Sequence, residues 1–214
     1  MNDTMFSRRR LLGAGAALGG LALTGCATSS SGPSIGRVVV VGGGFGGATA
    51  ARYLKMWGGN VDVTLVERNA AFVSCPISNL VLGGYKQIGE LTRGYDGLKA
   101  MGVKLVQGEV TAIDAAAKRV KLADGSTLAY DRLVVSPGVD FMTEAVGGLA
   151  APAAQARFLH SWKAGAQTVA LRQQIEAMKD GGVFAISIPK VPYRCPPGRS
   201  EERRVGKECL RLCR

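Results

Sequence analysis

The chain has a single histidine, His160, and no Cys-x-x-Cys-His, so it attaches no c-type haem of its own. It also lacks any extended lysine or arginine run. Residues 35–198 carry 18 basic and 12 acidic side chains, and the two ends supply the rest of the formal net charge of +11. A nucleic-acid or heparin patch needs such a run, so nucleic acid is not an expected partner. Residues 72–79 hold one cysteine, Cys75, which excludes a dithiol on that segment. At 214 residues, 47% apolar and 20% charged, the chain is neither disordered, collagen-like nor multi-span, and has room for one large or two small domains. Glycine is what abounds. Its 30 residues, about twice average usage, point to tight turns and close backbone approaches, as in a nucleotide-binding α/β chain.

Both ends stand outside the expected fold. Ser7-Arg8-Arg9-Arg10-Leu11-Leu12 precedes an uncharged Leu/Ala/Gly stretch through Gly25, the layout of a charged n-region and an apolar h-region. It resembles a twin-arginine export signal, which implies the periplasm and a protein that folds around a cofactor before export. A membrane anchor is the competing reading, and five glycines in residues 11–25 weigh against it. Leu23-Thr24-Gly25-Cys26 also reads as a lipoprotein box with Cys26 acylated, followed by a Ser/Gly linker, so residues 1–34 are signal and linker. Residues 199–214 look like the in-frame translation of a sequencing-library adapter, with the natural protein expected to be interrupted at about Gly198. The alternative is a genuine basic tail with Cys209 and Cys213.

Arg37-Val38-Val39-Val40-Val41 is a β-branched run bounded by glycines, the mark of a parallel strand buried on both faces. It leads into Gly42-Gly43-Gly44-Phe45-Gly46-Gly47, in which Gly42, Gly44 and Gly47 fit G-x-G-x-x-G. A helix is expected over 48–57, its N-terminus aimed at a pyrophosphate. A second strand over 61–66 ends at Glu67, twenty residues past Gly47, where a carboxylate accepts from ribose hydroxyls and repels a 2′-phosphate. FAD or NAD fits this site. Short alternating strands at 104–106, 110–113, 120–122 and 128–130, with a hairpin at Asp124-Gly125, and a closing strand that ends in Ser136-Pro137-Gly138 favour FAD. The expected class is therefore α/β: a Rossmann-like FAD domain over 35–160 and the start of a second Rossmann-like domain over 161–198.

The Cys75 segment is expected at the carboxyl ends of the strands, beside the flavin; a buried structural thiol is the competing reading. Further cofactor contacts are expected from Phe45 and Gly46 in the glycine turn, Arg68 beside Glu67, Asn79, Val110, and Pro137 with Gly138. A helix over 169–179, with Leu171, Ile175 and Met178 on one face, precedes an apolar strand over 183–188. Instead of a second glycine turn, the chain then has Pro189, Pro192, Pro196 and Pro197 around Cys195. Prolines remove N–H donors, so NAD(P)H is not expected to bind there. Arg194 beside Cys195 favours thiolate, which makes Cys195 the candidate catalytic residue; a buried thiol in a proline-rich turn is the competing reading. His160 has no second ligand or acid near it in sequence and reads as structural.

Residues 40–51 (VVGGGFGGATAA), 74–79 (SCPISN), 94–98 (GYDGL), 162–165 (WKAG) and 192–198 (PYRCPPG) together resemble the flavoprotein subunit of flavocytochrome c sulfide dehydrogenase, a relative of the sulfide:quinone reductases. The resemblance implies that Cys75 forms a thioether to the flavin, and that Cys195 is one half of a redox disulfide whose other half lies beyond these residues. It also implies sulfide as substrate, electrons leaving singly to a separate c-type cytochrome subunit, and little turnover from 214 residues alone. A sulfide:quinone reductase and a non-catalytic nucleotide-binding fragment are the alternatives.

Overall fold

The fold was taken from a computed structural model, which describes residues 32–185. Strand β1 (Gly36–Val41) runs into helix α1 (Phe45–Trp57) and back through β2 (Val61–Glu67). A short strand β3 (Phe72–Val73), helix α2 (Asn79–Leu82), strand β4 (Thr92–Arg93) and helix α3 (Asp96–Ala100) follow. Next come β5 (Lys104–Gln107), an excursion of β6 (Val110–Asp114), β7 (Arg119–Leu122) and β8 (Thr127–Ala129), and the return strand β9 (Arg132–Val135). Helices α4 (Pro152–Arg157) and α5 (Ala166–Glu176) follow, and short 3-10 turns lie at Ile88–Leu91 and Thr143–Ala145.

The main sheet has the order β5-β2-β1-β9, with every pair parallel. Because side chains alternate along a strand, the valine run serves both faces. Val38 and Val40 pack with Ala51, Val63, Leu65 and Val103 on the α1 side, while Val39 and Val41 pack with Val66, Val120, Leu122 and Tyr130 under the excursion. Val40, Leu65 and Val120 are fully enclosed. At about 1.5–3 kcal/mol for each such side chain, these two clusters hold the glycine turn to the sheet.

Three expectations need correction. Residues 104–106 are not part of the antiparallel excursion: β5 lies parallel to β2, because Leu105 faces one cluster and Val106 the other, as a doubly buried strand requires. Helix α1 begins at Phe45, a turn earlier than expected, and α5 occupies 166–176 instead of 169–179. Of the strand expected over 183–188, residues 186–188 lie outside the described residues; Val183, Phe184 and Ala185 belong to no described strand, and Val183 stands 91% exposed. The hairpin at Asp124-Gly125 forms between β7 and β8, with the Asp124 carboxylate accepting the Ser126 N–H at 2.9 Å.

Candidate functional site

The carboxyl ends of β1, β2 and β9 converge on the glycine turn. Gly42 sits at φ +96°, where a Cβ would run into the Ser136 carbonyl. A Cβ at Gly47 would strike the Gly42 carbonyl, so this glycine lets helix and strand approach. Gly44 differs. A Cβ there would meet only the Phe72 ring, at an ordinary 3.6 Å. Packing within the protein does not demand a glycine at this position, whereas a ligand lying against the backbone would. Helix α1 has no side-chain cap, which leaves the orphan N–H groups of its first turn, through Phe45, Gly46 and Gly47, to meet an anion.

Glu67 is drawn into the same turn. Its Oε2 accepts the Gly43 N–H at 2.7 Å, and its Oε1 accepts the Asn69 N–H and side-chain amide at 2.9 and 2.8 Å. The carboxylate thus holds the glycine turn in shape. Its carbonyl accepts the Gly108 N–H at 3.0 Å, which sets Val110, the first residue of β6, close by. Next to it, Arg68 approaches Glu109 at 3.9 Å and Asp140 at 3.6 Å. Ser136 is tied to Val41 at 2.8 Å, so Pro137 and Gly138 leave the sheet beside the turn.

Tyr95 and Phe72 were not singled out in the sequence as site residues. The buried Tyr95 hydroxyl donates to the Gly43 carbonyl at 3.2 Å, and burial, with the Glu67 charge, pushes its phenol up to about 12. The Phe72 ring meets Phe45 edge-on, with centroids 5.0 Å apart. The signal for Tyr95 was its place in Gly-Tyr-Asp-Gly, just ahead of a short helix; that it reaches Gly43 has no local trace. Between α1, α3 and the Cys75 segment lies a cavity of about 630 Å³, lined by Gly44, Phe45, Phe72, Ser74, Ile77 and Tyr95 among others. A mostly apolar cleft joined to a phosphate-binding turn suits a flavin ring, and the residues present therefore fit FAD.

Cys75 is a free, exposed thiol, not a buried one. Its neighbours Ser74 and Ile77 line the cavity, and its Sγ accepts the Ala164 N–H at 3.5 Å. Ile77 sits at φ +65°, a strained setting for a β-branched residue, within the loop that carries the thiol. Asn79 opens α2, and Arg172 of α5 donates to the Leu82 carbonyl at 2.9 Å, packing α5 on that helix. Asp140 links the two sides, receiving Lys163 at 3.0 Å as well as Arg68. The His160 ring meets Phe141 with centroids 4.3 Å apart and planes tilted by 43°, and its Nδ1 has no partner among the described residues. Burial, then Lys163, holds its imidazole below the usual value against the pull of Asp140. Cys26 and Cys195, with the prolines around the latter, lie outside the described residues.

A family model for pyridine nucleotide-disulphide oxidoreductases matches residues 36–175, and one for the central part of the sulfide dehydrogenase [flavocytochrome c] flavoprotein chain matches 168–206. The sulfide dehydrogenase [flavocytochrome c] flavoprotein chain of Chlorobaculum thiosulfatiphilum is 62% identical over 45 residues, which is 21% of this chain and 94% of that one. The mitochondrial sulfide:quinone oxidoreductase of Mus musculus is 25% identical over 160 residues, 74% of this chain and 35% of its own. Among solved structures, the sulfide:quinone oxidoreductase of Aquifex aeolicus shares the fold with a TM-score of 0.56 at 21% identity, over 65% of this chain and 31% of that one. The chain thus spans about a third of the length of the sulfide:quinone oxidoreductases it matches. The first family model is named for pyridine nucleotides, so the comparisons give no support to an exclusion of NAD(P)H.

Proposed function

The chain belongs to the pyridine nucleotide-disulphide oxidoreductases and, within them, to the flavocytochrome c sulfide dehydrogenase flavoproteins; on that premise we propose that the whole protein is an FAD enzyme that oxidises sulfide and passes electrons to a c-type cytochrome. The observation that carries this reading is the juxtaposition of a glycine turn open to a ligand at Gly44 with a flavin-sized cavity flanked by the Cys75 loop.

The opening N–H groups of α1 hold the pyrophosphate, and their dipole end offsets its charge. Glu67 receives the ribose hydroxyls while keeping the turn in shape through Gly43. Phe45, Phe72 and Tyr95 exclude water from the cavity wall. Cys75 is the proposed point of covalent attachment. Cys195 is proposed as one sulfur of a disulfide that hydrosulfide opens: the S–S bond breaks, a new S–S bond to the substrate sulfur forms, and the displaced cysteine leaves as thiolate. When bound, FAD supplies an acceptor for two electrons that can release them one at a time. Export by the twin-arginine route to the periplasm, with Cys26 as a site for lipid, completes the proposal.

A quinone as acceptor is the second reading, favoured by the mouse sulfide:quinone oxidoreductase match across 74% of the chain. The test is sulfide-dependent reduction by the complete protein, offered a c-type cytochrome or a soluble quinone. Cytochrome reduction supports the first reading, quinone reduction alone supports the second, and no sulfide-dependent electron transfer to either overturns both. Acid precipitation should carry the flavin down with the protein and leave it in solution for Cys75→Ser.

A further inference from the structure

The parallel sheet gives the molecule two poles, and the chain enters at the one opposite the glycine turn. Ile35 donates its N–H to the Asn60 carbonyl at 2.9 Å, and the Asn60 amide donates to the Gly32 carbonyl, so residues 32–35 lie on the turn that follows α1. On the last two turns of α1, Tyr53, Met56 and Trp57 share a face through their i, i+3 and i+4 spacing. The Tyr53 and Trp57 rings stack with centroids 4.4 Å apart and planes 21° from parallel. They are not buried: Trp57 is 74% exposed, Met56 47%, and nearby Ile35 73%. Apolar area gathered like this in water marks a surface that something covers.

The rim is basic. Arg37 and Arg132 stand at the amino ends of β1 and β9, and Lys104 opens β5. Asp62 and Asp131 oppose them; the pair of Arg37 and Asp131 at 3.3 Å cancels, which leaves Arg132 and Lys104 against Asp62, with Lys118 felt at Asp131 as well.

We propose that this pole rests on an anionic phospholipid surface, with Trp57, Tyr53 and Met56 in the headgroup layer and the basic rim against the lipid charge. Tryptophan and tyrosine favour that layer, where ring and polar edge are both accommodated, and lysine or arginine near an anionic leaflet adds attraction. The chain outside the described residues selects lipid over a protein partner. Cys26 lies nine residues before Ile35, a tether of at most about 30 Å. A lipid on Cys26 is thereby held within that reach of this pole. The carboxyl ends of the strands, with the glycine turn and Cys75, then face away from the bilayer, open to a water-soluble electron acceptor. The pole would meet lipid in the same way whatever is oxidised at the other end.

The experiment uses the full chain with phosphatidylglycerol-containing vesicles, and phosphatidylcholine vesicles as the uncharged control. Co-sedimentation is expected with the anionic vesicles, to be weakened by about 0.5 M salt, and to fall about tenfold or more for Met56→Ser with Trp57→Ser. Both side chains are exposed, so the double variant should keep its unfolding midpoint. In Trp162→Phe, which leaves Trp57 as the sole tryptophan, emission should shift to the blue on binding and be quenched by a headgroup nitroxide. Absence of vesicle binding overturns the proposal. So does binding with Trp57 unquenched, which would make residues 11–25 the sole attachment. A blue-shifted Trp57 without vesicles would overturn it in favour of residues 11–25 as the occupant of the patch.

Discussion

Tyr95 and Gly43 are 52 residues apart in sequence, yet the buried phenol donates to the glycine carbonyl at 3.2 Å while Glu67 takes the N–H of the same residue. Both peptide groups that flank Gly43 in the glycine turn are thereby held, one by each side chain. Tyr95→Phe should remove about 1 kcal/mol of stability, read by denaturant unfolding, and weaken FAD binding in a titration. The sign of its pH dependence follows from the phenol's displacement upward to about 12. Its contribution is complete below the unfolded value near 10 and is lost as pH rises through the folded one. Stability of the natural chain should therefore decline between about pH 10 and pH 12 more steeply than that of the Phe variant; parallel curves would contradict the assignment.

Gly47 and Gly44 should separate folding from binding. Gly47→Ala drives a methyl into the Gly42 carbonyl and is expected to destabilise by several kcal/mol or prevent folding. Gly44 has φ −71°, which any residue adopts, and space for a methyl. Gly44→Ala should change the unfolding free energy by less than about 1 kcal/mol while reducing FAD affinity at least several-fold. Retained affinity in Gly44→Ala would show that no ligand approaches the backbone there.

Leu65 of β2 is fully buried in the larger cluster, with Val40 of β1 and Ala51 of α1. Leu65→Ala should cost about 2–5 kcal/mol, because a cavity adds to the lost transfer energy. Calorimetry would show the drop in midpoint.

Ile77 carries backbone strain in the loop that presents Cys75. Asparagine tolerates its left-handed conformation better, and the isoleucine side chain is 53% exposed, so little burial is lost. Ile77→Asn should raise stability by up to about 1 kcal/mol, with destabilisation as the contrary outcome. If the strain helps to set the thiol, the same variant will slow covalent flavin attachment, measured as acid-stable flavin against time.

Much of the frame was legible in the residues. The valine run, the glycine pattern and the acid at Glu67 sit in register because each requirement is met by a few consecutive positions. The contacts that turn this frame into a site were not legible: Glu67 to Gly43, Tyr95 to Gly43 and Ala164 to Cys75 join residues 24, 52 and 89 positions apart. Strand β5 was misassigned for a related reason. A four-residue strand whose only apolar residues are Leu105 and Val106 looks alike in a parallel and an antiparallel partnership, and only its neighbour β2 distinguishes them.

Taken alone, the sequence determined a strand, phosphate turn, helix and second strand ending in a carboxylate, since burial on two faces and glycine's lack of a Cβ act within a handful of residues. Tertiary structure alone decided that Tyr95 and Glu67 clamp one residue of that turn, Gly43, that Cys75 is exposed beside a cavity, and that stacked aromatics gather where the chain enters. Those outcomes depend on which distant segments meet once the sheet has closed, and no local pattern of side chains encodes that meeting.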